Sequence, residues 1–384
     1  TKGITLDAAY LQGLSRDYHE KLSAIEASIY EHAGEVFNIN SPKQLGVVLF
    51  DKMGLTVKGL KKTEGGARST RESELEKLRE SHPIIEKILE YREIQKLLST
   101  YIDTLPVLAD ASGRIHTTLH QDGTTTGRFS STDPNLQNIP VREGLGEVIR
   151  DAFVAPKGKV LISFDYSQIE MRVLAMLSGD PGLAEIFRTG EDIHTSVAAR
   201  VFGVAPDAVT KEMRRRAKVI NFGIVYGMGV NALKQNLGST REEAQEFYDQ
   251  YFISFPKIAA YFEQVKADAT KKGNTETMFG RRRQFPNMRR KTPCVKAMAE
   301  RMAMNAPLQG TAADLVKIAM RRVDDALGKA GLSERIELIL QVHDELIFEV
   351  EDNEKVIPAG VEVITKAMAP AAEGSAGVPI PLLV

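Results

Sequence analysis

A single cysteine, Cys294, stands among 384 residues. An internal disulfide is therefore impossible, and the chain suits a reducing compartment such as the cytosol. Its plain reading is a small, partly buried residue rather than a nucleophile. No apolar run approaches the length of a bilayer crossing, and no signal peptide opens the chain, so neither a membrane protein nor a secreted one is expected. Net charge is nearly absent as well: 50 Lys and Arg balance 51 Asp and Glu. That balance argues against a generic basic coat for nucleic acid. There is no internal repeat and no long low-complexity tract. The first residue is Thr1 rather than Met, which suggests a fragment or a processed product.

What remains is a chain long enough for a large core and two or three subdomains. Residues 1 to about 108 carry helical periodicity, broken by VKGLKKTEGGARSTRES at 57–73, which reads as a mobile loop. From about 109 to 178 the pattern turns to short strands. A helical stretch runs to about 300, and after it a long helix is followed by two apolar strands. The strand regions are thus expected to be separated by a long helical insertion. Basic residues gather at Lys58, Lys61 and Lys62, at Arg214 to Lys218, at Arg281 to Arg283 and at Arg289 to Lys291. Such clusters can line one groove while the rest of the surface stays acidic, although a solvated face is the commoner meaning of each alone.

Two aspartates stand out. Asp165 closes VLISFDYSQIE, where Val160 to Phe164 read as a buried strand that meets a helix. Asp344 sits with His343 at a tight turn between the two apolar strands of IELILQVHDELIFEV. Carboxylates at the ends of rigid strands are held still, and two together can bind a pair of divalent metals about 3.5–4 Å apart, the arrangement that clamps both oxygens of a phosphoryl transfer. Between them lies RRRAKVINFGIVYG. Its Arg214, Lys218, Phe222 and Tyr226 are spaced four apart, and each step of four advances about 40° around an α-helix. They form a slowly winding stripe, cationic at the N-terminal end where the helix dipole adds positive potential, and aromatic at the other. A nucleoside triphosphate matches both halves. An amphipathic helix with core aromatics and a basic first turn is the alternative.

In this order, DYSQIE at 165–170, R-x3-K-x3-F-x3-YG at 214–227 and HDE at 343–345 resemble the three signature motifs of family A DNA polymerases. The likeness extends from FNINSPKQL at 37–45 through TGRFSSTDPNLQNIP at 126–140 to RMAMNAPLQGTAADL at 301–315. It implies an α+β right-hand fold with an antiparallel palm sheet: a thumb at 1–108 with its first few residues beside the palm, a palm at 109–178 and 300–384, and fingers at 179–299. It also implies a template-directed DNA polymerase, working as a monomer on primer–template DNA and dNTPs. Two Mg²⁺ ions, or Mn²⁺ in their place, would be held by Asp165, Asp344 and the backbone carbonyl of Tyr166.

The remaining roles follow from the same resemblance. Arg214, Lys218 and His194 would contact phosphates, with Lys218 a proton donor to pyrophosphate, although a histidine such as His194 taken alone reads as a surface residue. Gln168, Phe222 and Tyr226 would complete the nucleotide site. Glu170 would exclude the ribose 2′-OH, where the ordinary reading is an exposed helix glutamate. Phe222, where some relatives have Tyr, implies discrimination against dideoxynucleotides. Arg301, Asn305 and Gln309, four apart on a helix interrupted by Pro307, would join Arg128 at minor-groove acceptors common to all base pairs. His343 would lie near the primer terminus, and Ser41, Lys43 and the loop from Lys58 to Arg71 at duplex phosphates. Glu345 would be a supporting residue, expected to point away from the metals because strand side chains alternate.

Some features depart from the family pattern. Gly229 replaces a common Ser, and Phe129 a common Leu. No proofreading is expected from this stretch, and relatives usually continue beyond PIPLLV into a short segment often containing Trp, of which this sequence has none. A bacterial cytoplasmic protein of the nucleoid is expected. A catalytically weak DNA-binding fragment and a metal-dependent nuclease are the alternatives, and the nucleotide helix gives a nuclease no evident use.

Overall fold

The computed structural model of the protein describes residues 2–140, 146–290, 292–369 and 380–384. Thr1 and Lys291, both named above, lie outside them. By chain contacts the protein divides into two compact units, Thr1–Thr117 with Asp133–Pro156, and Thr118–Thr132 with Lys157–Val384.

In the first unit, strand Ile4–Leu6 lies between Arg114–Ile115 and Phe153–Val154, antiparallel to both. Asp7 ends that strand and caps helix Ala8–Ala33, accepting a hydrogen bond from the Tyr10 amide at 2.9 Å. Gly34, at φ 72°, closes the helix in a left-handed turn. Leu22, Ile25 and Ile29 fall on one face and meet helix Pro83–Leu97, where Ile84, Ile88 and Tyr91 repeat the spacing. Burying each such side chain contributes about 1.5–3 kcal/mol. The stretch at 57–73, read above as a mobile loop, has local ties: Lys62 bridges Arg68, and buried Glu74 accepts from the Lys61 amide at 2.9 Å and from Lys77 Nζ at 2.6 Å.

The second unit is organised by a three-stranded antiparallel sheet in the order Lys159–Asp165, Glu345–Glu351, Ile336–Val342. His343 and Asp344 form the two-residue link of the last pair, and His343 takes φ 54°, the positive value that such tight hairpins favour. Leu346, Phe348 and Val350 turn to the core, where Phe348 meets Phe164 edge-on at 5.6 Å. Helix Ile169–Ser178 is buried without a break from Ile169 to Met176. Helices Lys211–Val225, Pro256–Lys272 and Pro293–Lys329 all pack on it, as an all-round buried helix requires.

Three expectations need correction. The insertion between the strand regions is not uniformly helical: Asn274–Glu276 and Arg282–Gln284 form a hairpin within it. Pro307 does not interrupt its helix, which runs from Pro293 to Lys329; buried neighbours Ala303, Ala306 and Leu308 hold the turn that proline deprives of a hydrogen bond. Cys294 is exposed rather than partly buried.

Candidate active site

The two aspartates meet through backbone pairing. Asp165 lies directly opposite Glu345 across the antiparallel ladder, and Asp344 is the residue before Glu345. The Tyr166 amide donates to the Asp344 carbonyl at 3.4 Å. Residues directly opposite in such a pair share a face. Glu345 therefore stands on the Asp165 face, not away from it as alternation along one strand suggested, and it accepts a hydrogen bond from the Ser163 hydroxyl. Crowded negative charge leaves its mark. The Asp165 carboxyl is pushed up to about 6, first by partial desolvation and then by Asp344 and Glu345.

Among the described residues no three His, Cys, Asp or Glu side chains form a self-sufficient metal cluster. Two carboxylates nonetheless fit Mg²⁺, which keeps several waters and is commonly bound by one or two carboxylates plus substrate phosphates. Mutual repulsion at Asp165 is what an added cation relieves.

Beside the aspartates lies a cleft of about 240 Å³ whose lining includes Arg128, Gln168, Glu170, Phe222, Tyr226, His343 and Asp344. Gln168 holds a left-handed conformation, φ 52°, at the cap of helix Ile169–Ser178. Such backbone is costly for a residue with a side chain and tends to persist where surroundings enforce it. Glu170 is buried, unlike an ordinary helix glutamate, and Arg128 Nη2 donates to it at 2.7 Å. Burial raises the Glu170 carboxyl, while Arg128 and a hydrogen bond with Tyr226 oppose the shift. The same burial and the same glutamate push the Tyr226 phenol up to about 12. Phe222 and Tyr226 remain 39% and 51% exposed, which removes the reading of them as core aromatics.

Phe222 also meets His194, their ring centroids 5.7 Å apart. His194 is buried rather than on the surface. Asn221 Nδ2 sits 3.0 Å from its Nδ1, a pairing that leaves the proton of a neutral ring on Nε2. Desolvation holds the imidazole below its usual pKa, with Arg214 and Lys218 pushing the same way against Asp192. Arg214 is held by Asp192, whereas neighbouring Arg215 and Arg216 pair with Glu212 on their own helix. Lys218 has no hydrogen bond or ion pair to another described residue.

The expected DNA contacts divide. Arg301 is exposed and Gln309 half-buried, but Asn305 gives its amide to the Val225 carbonyl at 2.7 Å, at the end of the cationic helix. Arg128 is likewise engaged, with Glu170. Ser41 and Lys43 belong to the first unit, where Ser41 caps helix Pro42–Gly46. Sequence reading missed Ser163, Asn221 and Asp192. Only Asp192 carried a local signal, an aspartate three residues before Thr195 in the manner of a helix cap.

Comparison with known proteins agrees with this arrangement. A model described as DNA polymerase family A matches residues 8–384. The thermostable DNA polymerase I of Thermus aquaticus is 51% identical over 348 residues, covering 90% of this chain and 41% of that protein. DNA polymerase I of Pseudomonas aeruginosa is 46% identical over 384 residues, covering 100% of this chain and again 41% of the relative. Among solved structures, the POL domain of Pol1 from M. smegmatis, in complex with DNA primer-template and dNTP, matches with a TM-score of 0.89 at 42% identity, covering 99% of this chain and 65% of that one. The fold is thus the α+β fold of a DNA polymerase I polymerase domain. A family match that runs from residue 8 to residue 384 fixes the lineage: this chain belongs to DNA polymerase family A.

Proposed function

We propose that the protein is a template-directed DNA polymerase that adds dNTPs to a primer 3′-OH and releases pyrophosphate. In this reading residues 1–108 act as thumb, 109–178 with 300–384 as palm, and 179–299 as fingers. The observation that carries it is the juxtaposition of the Asp165–Asp344 pair with a cleft shared by Glu170, Phe222 and Tyr226. The mycobacterial neighbour was solved with DNA primer-template and dNTP, which supports the same partners here.

Bound divalent ions, Mg²⁺ or Mn²⁺, would acidify the primer hydroxyl and neutralise charge on the leaving group. Asp165 and Asp344, with the Tyr166 carbonyl, would hold them, and Glu345 with its Ser163 partner would keep the carboxylate face in order. Phosphoryl transfer of this kind depends on positioning and electrostatics. Arg214 and Lys218 supply charge to the triphosphate, His194 offers an Nε2 proton, and Lys218 Nζ is placed on the stripe to protonate the departing pyrophosphate. Base and sugar lie against Phe222 and Tyr226, with Gln168 beside them. Glu170, fixed by Arg128 and Tyr226, closes the space a 2′-OH needs. Arg301, Gln309 and His343 face the duplex, joined by Arg128 and Asn305 when they exchange partners, and Ser41 and Lys43 meet its phosphates.

Primer extension on a defined template with Mg²⁺ tests the reading, with dNTPs, rNTPs or no nucleotide. Templated growth with dNTPs alone is expected. Asp165→Ala and Asp344→Ala should abolish it while primer–template binding persists; equal loss of binding would make these carboxylates structural instead.

A further inference from the structure

We propose that Asp192 is a positioning residue for the nucleotide triphosphate: it grips Arg214 by one edge of the guanidinium and caps the helix that carries His194, so both groups are set before a nucleotide arrives. This rests on the phosphate-binding roles given above to Arg214 and His194.

The geometry is that of a charge-assisted fork. Arg214 Nε donates to Asp192 Oδ1 at 3.0 Å and Nη2 donates to Oδ2 at 2.9 Å. The Thr195 amide and hydroxyl both donate to Oδ1 at 2.7 Å, making Asp192 the N-cap of helix Ile193–Phe202. Three donors thus converge on Oδ1 and one reaches Oδ2, so both carboxylate oxygens are engaged. His194 is the second residue of that helix, so one side chain fixes both a helix start and an arginine far along the chain.

A carboxylate on Arg214 does not use up its capacity for phosphate. Guanidinium carries five N–H groups, and the fork engages the Nε side, leaving the Nη1 side free. An arginine held this way keeps its planar fork aimed, whereas an unheld one must give up rotamer freedom when it binds. Arg215 and Arg216 show the contrast. They are tied to Glu212 within their own helix and offer nothing to this cluster.

The test is steady-state primer extension with four variants, reading KM for dNTP, kcat, primer–template Kd and thermal stability. Asp192→Ser keeps an N-capping oxygen but cannot reach Arg214. We expect its KM for dNTP to rise about tenfold, the scale of one charge-assisted hydrogen bond, with primer–template Kd unchanged. Asp192→Asn, which caps and retains one acceptor, should fall between it and the unaltered protein, and keeps the test open if the serine variant folds poorly. In an Arg214→Ala background, Asp192→Ser should add nothing, because the two act through one contact. An unchanged or lower KM in Asp192→Ser, or the same increase in both backgrounds, overturns the proposal. If Arg214→Ala itself leaves KM unaltered, the phosphate role of Arg214 fails first, and the two failures are told apart.

Discussion

Asp165 and Glu345 face each other across adjacent antiparallel strands, with Asp344 one residue away at the turn. Three carboxylates at the end of one sheet repel one another, and an arrangement that weakens the isolated chain is the one that attracts cations.

That repulsion sets a pH dependence. In the metal-free protein the Asp165 pKa lies near 6, above its unfolded value near 3.8. A folded pKa above the unfolded one means a stabilising contribution present below pH 4 and lost as pH rises through 6. Replacing Asp165 by Asn should therefore raise the melting temperature in EDTA at pH 7.5, with the gain vanishing near pH 4. Because the residue is exposed, screening keeps the gain to about 1 kcal/mol or less. Thermal melts at both pH values decide it, and an equal gain at pH 4 would remove charge repulsion as the cause.

Glu170 is the second target. Glu170→Ala opens the pocket that the proposed function gives to the sugar, and strands Arg128 and Tyr226 without their shared partner. The ratio of rNTP to dNTP incorporation should increase at least about tenfold, and stability should fall by about 1–3 kcal/mol from the unpaired groups. Competition between labelled nucleotides reads the first effect and denaturant unfolding the second. A falling stability with unaltered sugar selectivity would make Glu170 structural only.

Phe222 has a ring that is 39% exposed at the cleft. In the proposed function Phe222→Tyr would add a hydroxyl where a missing 3′-OH leaves a gap, so incorporation of dideoxynucleotides should improve about ten- to hundredfold relative to dNTPs, the worth of one well-placed hydrogen bond. Chain-termination patterns at a fixed ddNTP:dNTP ratio measure it.

Asn305 links the long helix to the end of the cationic one. Asn305→Ala removes the donor from the Val225 carbonyl and should cost about 1–3 kcal/mol if that carbonyl stays dry. Asn305→Ser, whose shorter side chain cannot span the same gap, should behave alike. Urea unfolding of the two variants checks this, and a change below a few tenths of a kcal/mol would mean that solvent replaces the amide.

Local rules were enough for the residues whose placement is set by their own segment. Asp165 and Asp344 are legible because apolar strands end at them, and the stripe from Arg214 to Tyr226 because helical spacing gathers it. The place of Glu345 opposite Asp165 was not legible, because alternation along one strand says nothing about which residue lies across the ladder. The fork between Asp192 and Arg214 joins separate helices, and the burial of His194 and Glu170 depends on helices packed around them. Pro307 shows tertiary burial overriding a local breaker. Each of these is settled by packing between distant segments, which no window of sequence contains.

The hairpin that carries Asp344 has a consequence for how such a protein can diversify. Side chains on a strand alternate strictly, so inserting or deleting one residue within Glu345–Glu351 would turn the core row of Leu346, Phe348 and Val350 outward and the carboxylate row inward. Length can drift in the long excursion between the two aspartates, where helices are joined by turns, but not in this strand. The partner strand already absorbs such an irregularity, its register shifting between the pairs Ile347–Leu340 and Phe348–Leu338, so the bar on a change of frame belongs to Glu345–Glu351 and not to the whole hairpin.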